Sequence, residues 1–178
     1  MMNADELQKE GLRLFQEGLY DEAAQRFSEA LEHFAEEGRE IEAGEMLNNI
    51  ALIRRKQSRW PEAVASLEEA RRVFVRLGDK SREAQVLGNL GSVYASMGRR
   101  DEAIPAWQTA IATFAELEDN QRQGETLLAL GVALFKNGQR EAGFAAYQAG
   151  IQLVENPTPM QKFTRMLLAL QMRVFGVR

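Results

Sequence analysis

Apolar and small residues recur along this chain with a period of forty residues. The same place in each period holds a leucine: Leu7, Leu47, Leu87, Leu127 and Leu167. Around these leucines, apolar residues stand three and four positions apart, which is the spacing of one face of an α-helix. The pattern predicts nine helices, at residues 5–17, 21–37, 41–57, 61–77, 81–97, 101–117, 121–137, 141–154 and 160–175.

The second helix of each period carries small and large apolar residues in a common register. The aligned positions are Ala23, Ala63, Ala103 and Gly143, then Phe27, Leu67, Trp107 and Tyr147, then Ala30, Ala70, Ala110 and Gly150. Two helices cross closely only where one backbone presents no side chain larger than a methyl group, and large rings fill the space beside the crossing. Each period therefore predicts one helix hairpin, and hairpins in tandem predict a repeat fold.

These residues resemble the tetratricopeptide repeat, which sets Leu and Gly in its first helix and Ala, an aromatic residue and Ala in its second. The usual module has about 34 residues. The forty-residue module here is similar to the longer-helix variety of rapsyn, of Pins-type polarity adaptors and of bacterial peptide-pheromone sensors, most closely at residues 76–80 and 87–91. The resemblance implies an all-α fold, a right-handed α-solenoid of four helix hairpins plus a C-terminal capping helix.

Length and composition favour one domain over residues 1–178, because 45% apolar and 27% charged residues are ordinary for a globular chain of this size. The expected repeats cover about 4–43, 44–83, 84–123 and 124–156, and the capping helix covers about 158–176. The fourth repeat has Gly143 and Gly150 where alanines are expected. Its second helix is therefore expected to be the least rigid.

The chain lacks the residues that most catalytic and metal sites need. It has no cysteine and one histidine, His33, which stands among glutamates on an outer helix and is interpreted as part of a solvated face. A Walker loop and a dinucleotide glycine motif are also absent. The sequence therefore predicts no enzyme activity and no cofactor.

Charge and the first residues bear on partners and location. The net charge is −4, and there is no coherent basic stripe with interleaved aromatic residues, so a nucleic-acid partner is not expected. Residues 1–6 are acidic and polar and do not lead into an apolar run, so a secretory signal is not expected either. We predict a cytoplasmic location and no membrane association.

The first helices of the periods are expected to line a groove, because their residues off the core positions point inward. The predicted groove residues are Lys9, Leu12, Asn48, Asn49, Leu52, Arg55, Lys56, Asn89, Ser92, Leu128, Val132 and Phe135. They are polar and basic near the front, small in the middle and apolar near the end. An extended or helical peptide with an acidic part and an apolar anchor would complement this gradient. The predicted function is a non-enzymatic scaffold or adaptor that binds a peptide segment of a partner protein.

Asn49 and Asn89 occupy equivalent places one period apart. A carboxamide offers donors and an acceptor together, so such a ladder can hold a peptide backbone whatever its side chains are. The resemblance implies that asparagines at this place contact bound peptides; the alternative is that they cap or hydrate the groove without a ligand. Lys9 and Ala129 stand at the other two places, which leaves two rungs. Of the two-carboxylate clamp that chaperone-tail binders of this fold use, only Asn49 matches, so that activity is not expected.

A basic cluster at residues 54–59, joined by Arg71 and Arg72, has two interpretations. It either attracts an acidic peptide or forms a solvated face that is paired with the acidic first repeat.

The last predicted helix is apolar nearly all round. Besides core positions it carries Met160, Phe163, Met166, Met172 and Phe175, which is more apolar surface than one docking face buries. It is expected either to cap the fourth repeat and cover part of the groove, or to form a self-association surface, or to dock a different protein. The second case gives the alternative function, a structural homo-oligomer, with a symmetric homodimer as its simplest form.

Overall fold

The computed structural model describes residues 2–155, 157–159 and 161–162, and these form eight α-helices and no strand. The helices are α1 (Ala4–Gln16), α2 (Tyr20–Glu36), α3 (Glu40–Lys56), α4 (Trp60–Leu77), α5 (Lys80–Ser96), α6 (Arg100–Glu116), α7 (Asn120–Lys136) and α8 (Arg140–Leu153). Each helix begins one residue before its predicted start. Eight helices without a strand in the described residues confirm the all-α prediction. The ninth predicted helix and the predicted cap lie outside the described residues, apart from a few positions at their start.

The chain divides into two compact units, Met1–Ala103 and Ile104–Arg178. The first unit contains α1 to α5, and the second contains most of α6 together with α7 and α8. Within the first unit each helix packs on the next one along the chain, and α7 packs on α8 in the second unit. This consecutive packing is that of an α-solenoid, as predicted. The prediction that residues 1–178 form one domain, with its repeat boundaries, stays a prediction.

Short connectors of uniform geometry separate the helices. Each of the seven connectors contains one residue in the left-handed region of φ. Five of these residues are glycines, for example Gly78 with φ 70°, but Ser58 has φ 59° and Glu118 has φ 55°. A left-handed conformation costs a residue with a Cβ about 1–2 kcal/mol, so these two connectors carry local strain that the glycines avoid.

The core of the first unit forms where the sequence places small residues beside large rings. Phe27 is 1% exposed and Ala23 and Ala30 are fully buried, which agrees with the predicted crossing of α1 and α2. A Cβ at Gly11 would lie 2.7 Å from the Phe27 ring, so only glycine allows α1 to pass this close. The repeated small residues therefore set the distance between paired helices.

The hairpin of α7 and α8 in the second unit depends on four glycines. Gly124 and Gly131 on α7 face Gly150 and Gly143 on α8, so that backbone lies against backbone. A Cβ at Gly143 would lie 2.7 Å from the amide nitrogen of Phe135 and 2.8 Å from the carbonyl oxygen of Gly131. The glycines that replace the expected alanines thus have a packing role that the sequence-based expectation of a less rigid helix did not include.

None of the helices in the described part of the chain combines the length and the apolar character that crossing a membrane requires.

We expect Gly143→Ala to lower the free energy of unfolding by about 1–3 kcal/mol, because the new methyl group must push two backbones apart. Helix propensity alone predicts the opposite sign, a gain of about 0.5–1 kcal/mol. Urea denaturation of the full chain measures the difference. Ala149→Gly, at an exposed position of the same helix, is the control for propensity. A gain in Gly143→Ala equal to the loss in Ala149→Gly would show that the crossing imposes no constraint.

Candidate functional site

A cleft of about 180 Å³ opens on the first unit, where α1, α3 and α5 present their side chains. Its lining residues are Gln8, Leu12, Glu45, Asn48, Asn49, Phe74, Arg82, Gln85 and Val86. On α3, Met46, Ile50 and Ile53 point into the core, and the side chains of the opposite face are left for the cleft. The cleft therefore lies on the face of α3 that is turned away from these three residues.

Carboxamides dominate the polar lining of the cleft. The Asn89 Nδ2 group donates a hydrogen bond of 2.7 Å to Asn48 Oδ1, which links α5 to α3. Asn48 is only 5% exposed. Among the described residues, Asn48 Nδ2 and Asn89 Oδ1 have no hydrogen-bond partner, and the carboxamides of Asn49, Gln8 and Gln85 have none either. The cleft thus presents several free donors and acceptors side by side.

The predicted ladder of Asn49 and Asn89 differs from this arrangement. Asn89 pairs with Asn48, one residue before its counterpart in the preceding repeat, and only Asn49 keeps a side chain without an internal partner. Reasoning from equivalent positions missed this pair because the two residues are 41 positions apart and not 40. The adjacent Asn48 and Asn49 were the one signal that could have suggested it.

An ion pair stands at the edge of the cleft. Arg82 Nε lies 2.7 Å from Glu45 Oε1, and Arg82 Nη1 lies 2.7 Å from Asp79 Oδ2. The hydrogen bond with Glu45 is the largest cause that raises the pKa of Arg82 above its ordinary value. Because both carboxylates neutralise it, Arg82 does not act as a free cation toward a ligand.

Three of the six basic side chains in the predicted cluster, Arg54, Arg59 and Arg71, also have partners inside the first unit. Arg54 donates to the Ser66 hydroxyl, and Arg59 pairs with Glu62. Arg71 Nε lies 3.5 Å from Glu83 Oε1; this distance is that of an ion pair without a hydrogen bond. These contacts favour the interpretation of a paired face. The sequence suggested partners in the acidic first repeat, whereas the partners of these three arginines lie on α4 and α5.

Three basic side chains of the cluster have no partner among the described residues, and of these Arg55 is partly buried whereas Lys56 and Arg72 are exposed. Arg55 lies on α3, and no hydrogen-bond, ion-pair or ring partner for its guanidinium exists among the described residues. Burial lowers the pKa of Arg55 from its ordinary value, because desolvation disfavours the charged form. Arg55 is thus a partly desolvated cation without a compensating anion among the described residues.

The other predicted groove residues differ in exposure. Exposed are Lys9, Leu12, Lys56, Val132 and Phe135, and partly buried are Asn49, Leu52, Arg55, Asn89 and Ser92. Leu128 is 8% exposed and packs in the core of the second unit with Ile151 and Val154, and its place in a groove stays a prediction. Leu128, Val132 and Phe135 lie in the second unit, whereas the cleft and its lining lie in the first.

Two further sets of residues concern other kinds of site. The predicted self-association residues Met160, Phe163, Met166, Met172 and Phe175 lie outside the described residues. Within the described ranges, no three His, Cys, Asp or Glu side chains come close enough together to hold a metal ion.

Helix hairpins in tandem, with small residues at each crossing and a polar cleft over the first helices, define a helical repeat protein. Models of two families described as tetratricopeptide repeat match the chain, one at residues 42–114 and 82–156 and the other at residues 9–74. The chain belongs to the tetratricopeptide repeat family, and the predicted resemblance is confirmed.

Solved structures show the same fold. BtubC (BKLC) from P. vanneervenii is similar over 88% of this chain and 66% of its own, with a TM-score of 0.75 and 24% identity. The apo form of RapI is similar over 97% of this chain and 48% of its own, with a TM-score of 0.79 and 14% identity. MamA matches 85% of this chain and 78% of its own, with a TM-score of 0.60 and 20% identity.

The chain thus spans just under two thirds of BtubC and about half of RapI. At these identities the similarity shows the fold alone. A comparison with curated proteins gives no significant match.

We expect Asn89→Ala to destabilise the first unit by about 1–3 kcal/mol, because it leaves the buried Asn48 Oδ1 without a donor. The double variant Asn48→Leu with Asn89→Ala should lose less free energy of unfolding than the two single variants lose in total, since it removes the unpaired acceptor as well. Urea denaturation measures each step. Asn49→Ala is the control and should change stability by less than about 0.5 kcal/mol. If the stability changes of the two single variants simply add in the double variant, the proposed coupling between Asn48 and Asn89 is wrong.

Proposed function

We propose that this protein is a non-enzymatic adaptor that binds a peptide segment of a partner protein in the cleft of its first unit. Tetratricopeptide repeats generally mediate protein–protein interaction, and they are typically non-enzymatic scaffolds. The single observation that supports the peptide class here is the set of carboxamides in the cleft without internal partners.

A peptide backbone is the ligand that such a set complements. Every residue of an extended peptide has one N–H donor and one C=O acceptor, both of which lose water on binding. The free Asn48 Nδ2 can donate to a peptide carbonyl, the free Asn89 Oδ1 can accept from a peptide amide, and Asn49 can do both. Affinity of this kind depends little on the side chains of the peptide.

The rest of the lining gives room and apolar contact. The cleft volume of about 180 Å³ equals that of roughly six water molecules, which is enough for a short stretch of backbone or one side chain. Leu12 is 41% exposed at the cleft, and Phe74 and Val86 form part of its wall. These residues supply the apolar contact that a bound side chain needs.

The remaining parts of the proposal concern context. The adaptor acts in the cytoplasm, binds protein, does not bind nucleic acid, and works without a cofactor. Val132 and Phe135 of the second unit are 44% and 56% exposed and offer an apolar surface for another part of the partner.

We expect the full chain to select peptides from a bead library of random octapeptides, and the double variant Asn49→Ala with Gln85→Ala to bind them about 5- to 150-fold more weakly. Two carboxamides that make no internal hydrogen bond would then be lost from the cleft, each worth about 0.5–1.5 kcal/mol. Fluorescence polarisation of selected peptides measures the affinity.

A matched control removes two exposed carboxamides that do not line the cleft, Gln108→Ala with Gln152→Ala. This control should leave the affinity unchanged. Equal affinity of the cleft variant and the control for every selected peptide would overturn the proposed function, and so would a library from which nothing is selected.

The second candidate function is a structural homo-oligomer. The observation that favours it is the exposure of three large apolar side chains in the second unit, Val132, Phe135 and Phe144, the last of which is 50% exposed. A self-associating protein would cover such side chains between copies. The predicted self-association residues, Met160 to Phe175, follow α8 along the chain.

Light scattering on the full chain over a wide concentration range separates the two candidates. The homo-oligomer predicts a dimer mass that falls toward the monomer mass in Phe135→Ser, because this change removes apolar area from the contact. A monomer at all concentrations eliminates the homo-oligomer and leaves the peptide adaptor in place.

A further inference from the structure

Arg55 has a position on α3 that connects it to the cleft. Asn48, Leu52 and Arg55 stand at spacings of four and seven residues, so they form one stripe along the helix. Asn48 is bonded to Asn89 of α5, which places this stripe on the side of α3 that faces α5. Arg55 therefore continues the row of polar groups that begins in the cleft.

The distance along this row has a simple estimate. Seven residues of α-helix rise by about 10 Å. An extended peptide covers that distance in about three residues. If one residue of a peptide is held at Asn48 and Asn89, the residue three positions further along the peptide would therefore lie at the level of Arg55.

No anion of the first unit compensates Arg55. Glu62 is paired with Arg59, Glu83 with Arg71, and Glu45 with Arg82. Further along α5 from Asn89, the Ser92 and Ser96 hydroxyls donate to carbonyl groups of their own helix.

A desolvated cation without an anion is unfavourable in the free protein, and folded proteins rarely keep one without a role. The adjacent Lys56 is exposed and has no partner in the described part of the chain, which adds to the positive potential at this end of α3. An incoming carboxylate at Arg55 would form a charge-assisted, bidentate hydrogen-bonded pair in a partly desolvated place.

We propose that Arg55 is a specificity-determining residue that binds a carboxylate of the partner peptide, about three residues from the segment held by the Asn48 and Asn89 carboxamides. This inference rests on the proposed function and narrows its ligand class to acidic peptides. The carboxylate comes either from an Asp or Glu side chain or from the end of a chain, and the two sources share the same chemistry.

The test uses the full chain and three pools of octapeptides with acetylated N-termini. The first pool has a fixed Glu at position six and an amidated C-terminus, the second has Gln at that position and an amidated C-terminus, and the third has Gln and a free C-terminus. We expect the first or the third pool to bind roughly tenfold or more tightly than the second. Which of the two is preferred identifies the source of the carboxylate.

Two variants link this preference to Arg55. In Arg55→Met the preference should disappear while the affinity for the second pool is retained, whereas Lys56→Met should keep most of the preference. Thermal unfolding gives a readout that needs no ligand. The melting temperature of Arg55→Met should equal or exceed that of the unchanged chain, because a partly buried charge without a compensating anion is replaced by an apolar side chain of similar length.

Each other outcome overturns the inference. Equal binding of all three pools, or a carboxylate preference that persists in Arg55→Met, overturns it and leaves the proposed function in place. A clear fall in the melting temperature of Arg55→Met, or its failure to fold, shows that Arg55 has a structural role. Absence of binding to every pool overturns the proposed function together with the inference.

Discussion

The distance of closest approach between paired helices is the constraint on which the rest of this structure depends. Ala23 and Ala30 in the first unit, and Gly143 and Gly150 in the second, allow neighbouring backbones to lie almost in contact. Rings such as Phe27 then fill the space beside each crossing and are themselves fully buried. Because the outer helix of each hairpin covers one side of the inner helix, the opposite side of the inner helix remains for polar groups. The cleft is therefore a consequence of the packing.

The chemistry of the cleft follows from a shortage of internal partners. Most charged side chains of the first unit find a partner of opposite sign, as Arg82 does with Glu45. Among the described residues, the guanidinium of Arg55 and the carboxamides of Gln8, Asn49 and Gln85 have no partner. Unsatisfied polar groups reduce the stability of the free protein, and a ligand that satisfies them recovers this free energy. The distribution of unpaired groups thus indicates where binding is to be sought.

Periodic features could be predicted from the sequence, and features that depend on one particular contact could not. The forty-residue repeat of small and apolar residues located all eight described helices to within a residue or two, because the crossing geometry demands the same residue types in every repeat. The bond between Asn48 and Asn89 breaks the register by one position, so alignment of repeats pointed to Asn49 instead. Among the described residues, Arg55 lacks an anionic partner because the nearby carboxylates are paired with other arginines. Two of those pairs join different helices, so no pattern within one helix could have predicted them.

The hydrogen bond from Asn89 to Asn48 has a consequence for the way the repeats open. In repeat proteins, the contacts between neighbouring modules determine whether those modules unfold together. Local unfolding of a module is measured by hydrogen exchange of its backbone amides. This bond joins two first helices through residues 41 positions apart in sequence, and the Arg82–Glu45 ion pair links the same two helices. A molecule that spans the Asn48 and Asn89 side chains would tie these two modules together. Occupancy of the cleft would then appear as slower amide exchange in both helices, at sites that the molecule never touches.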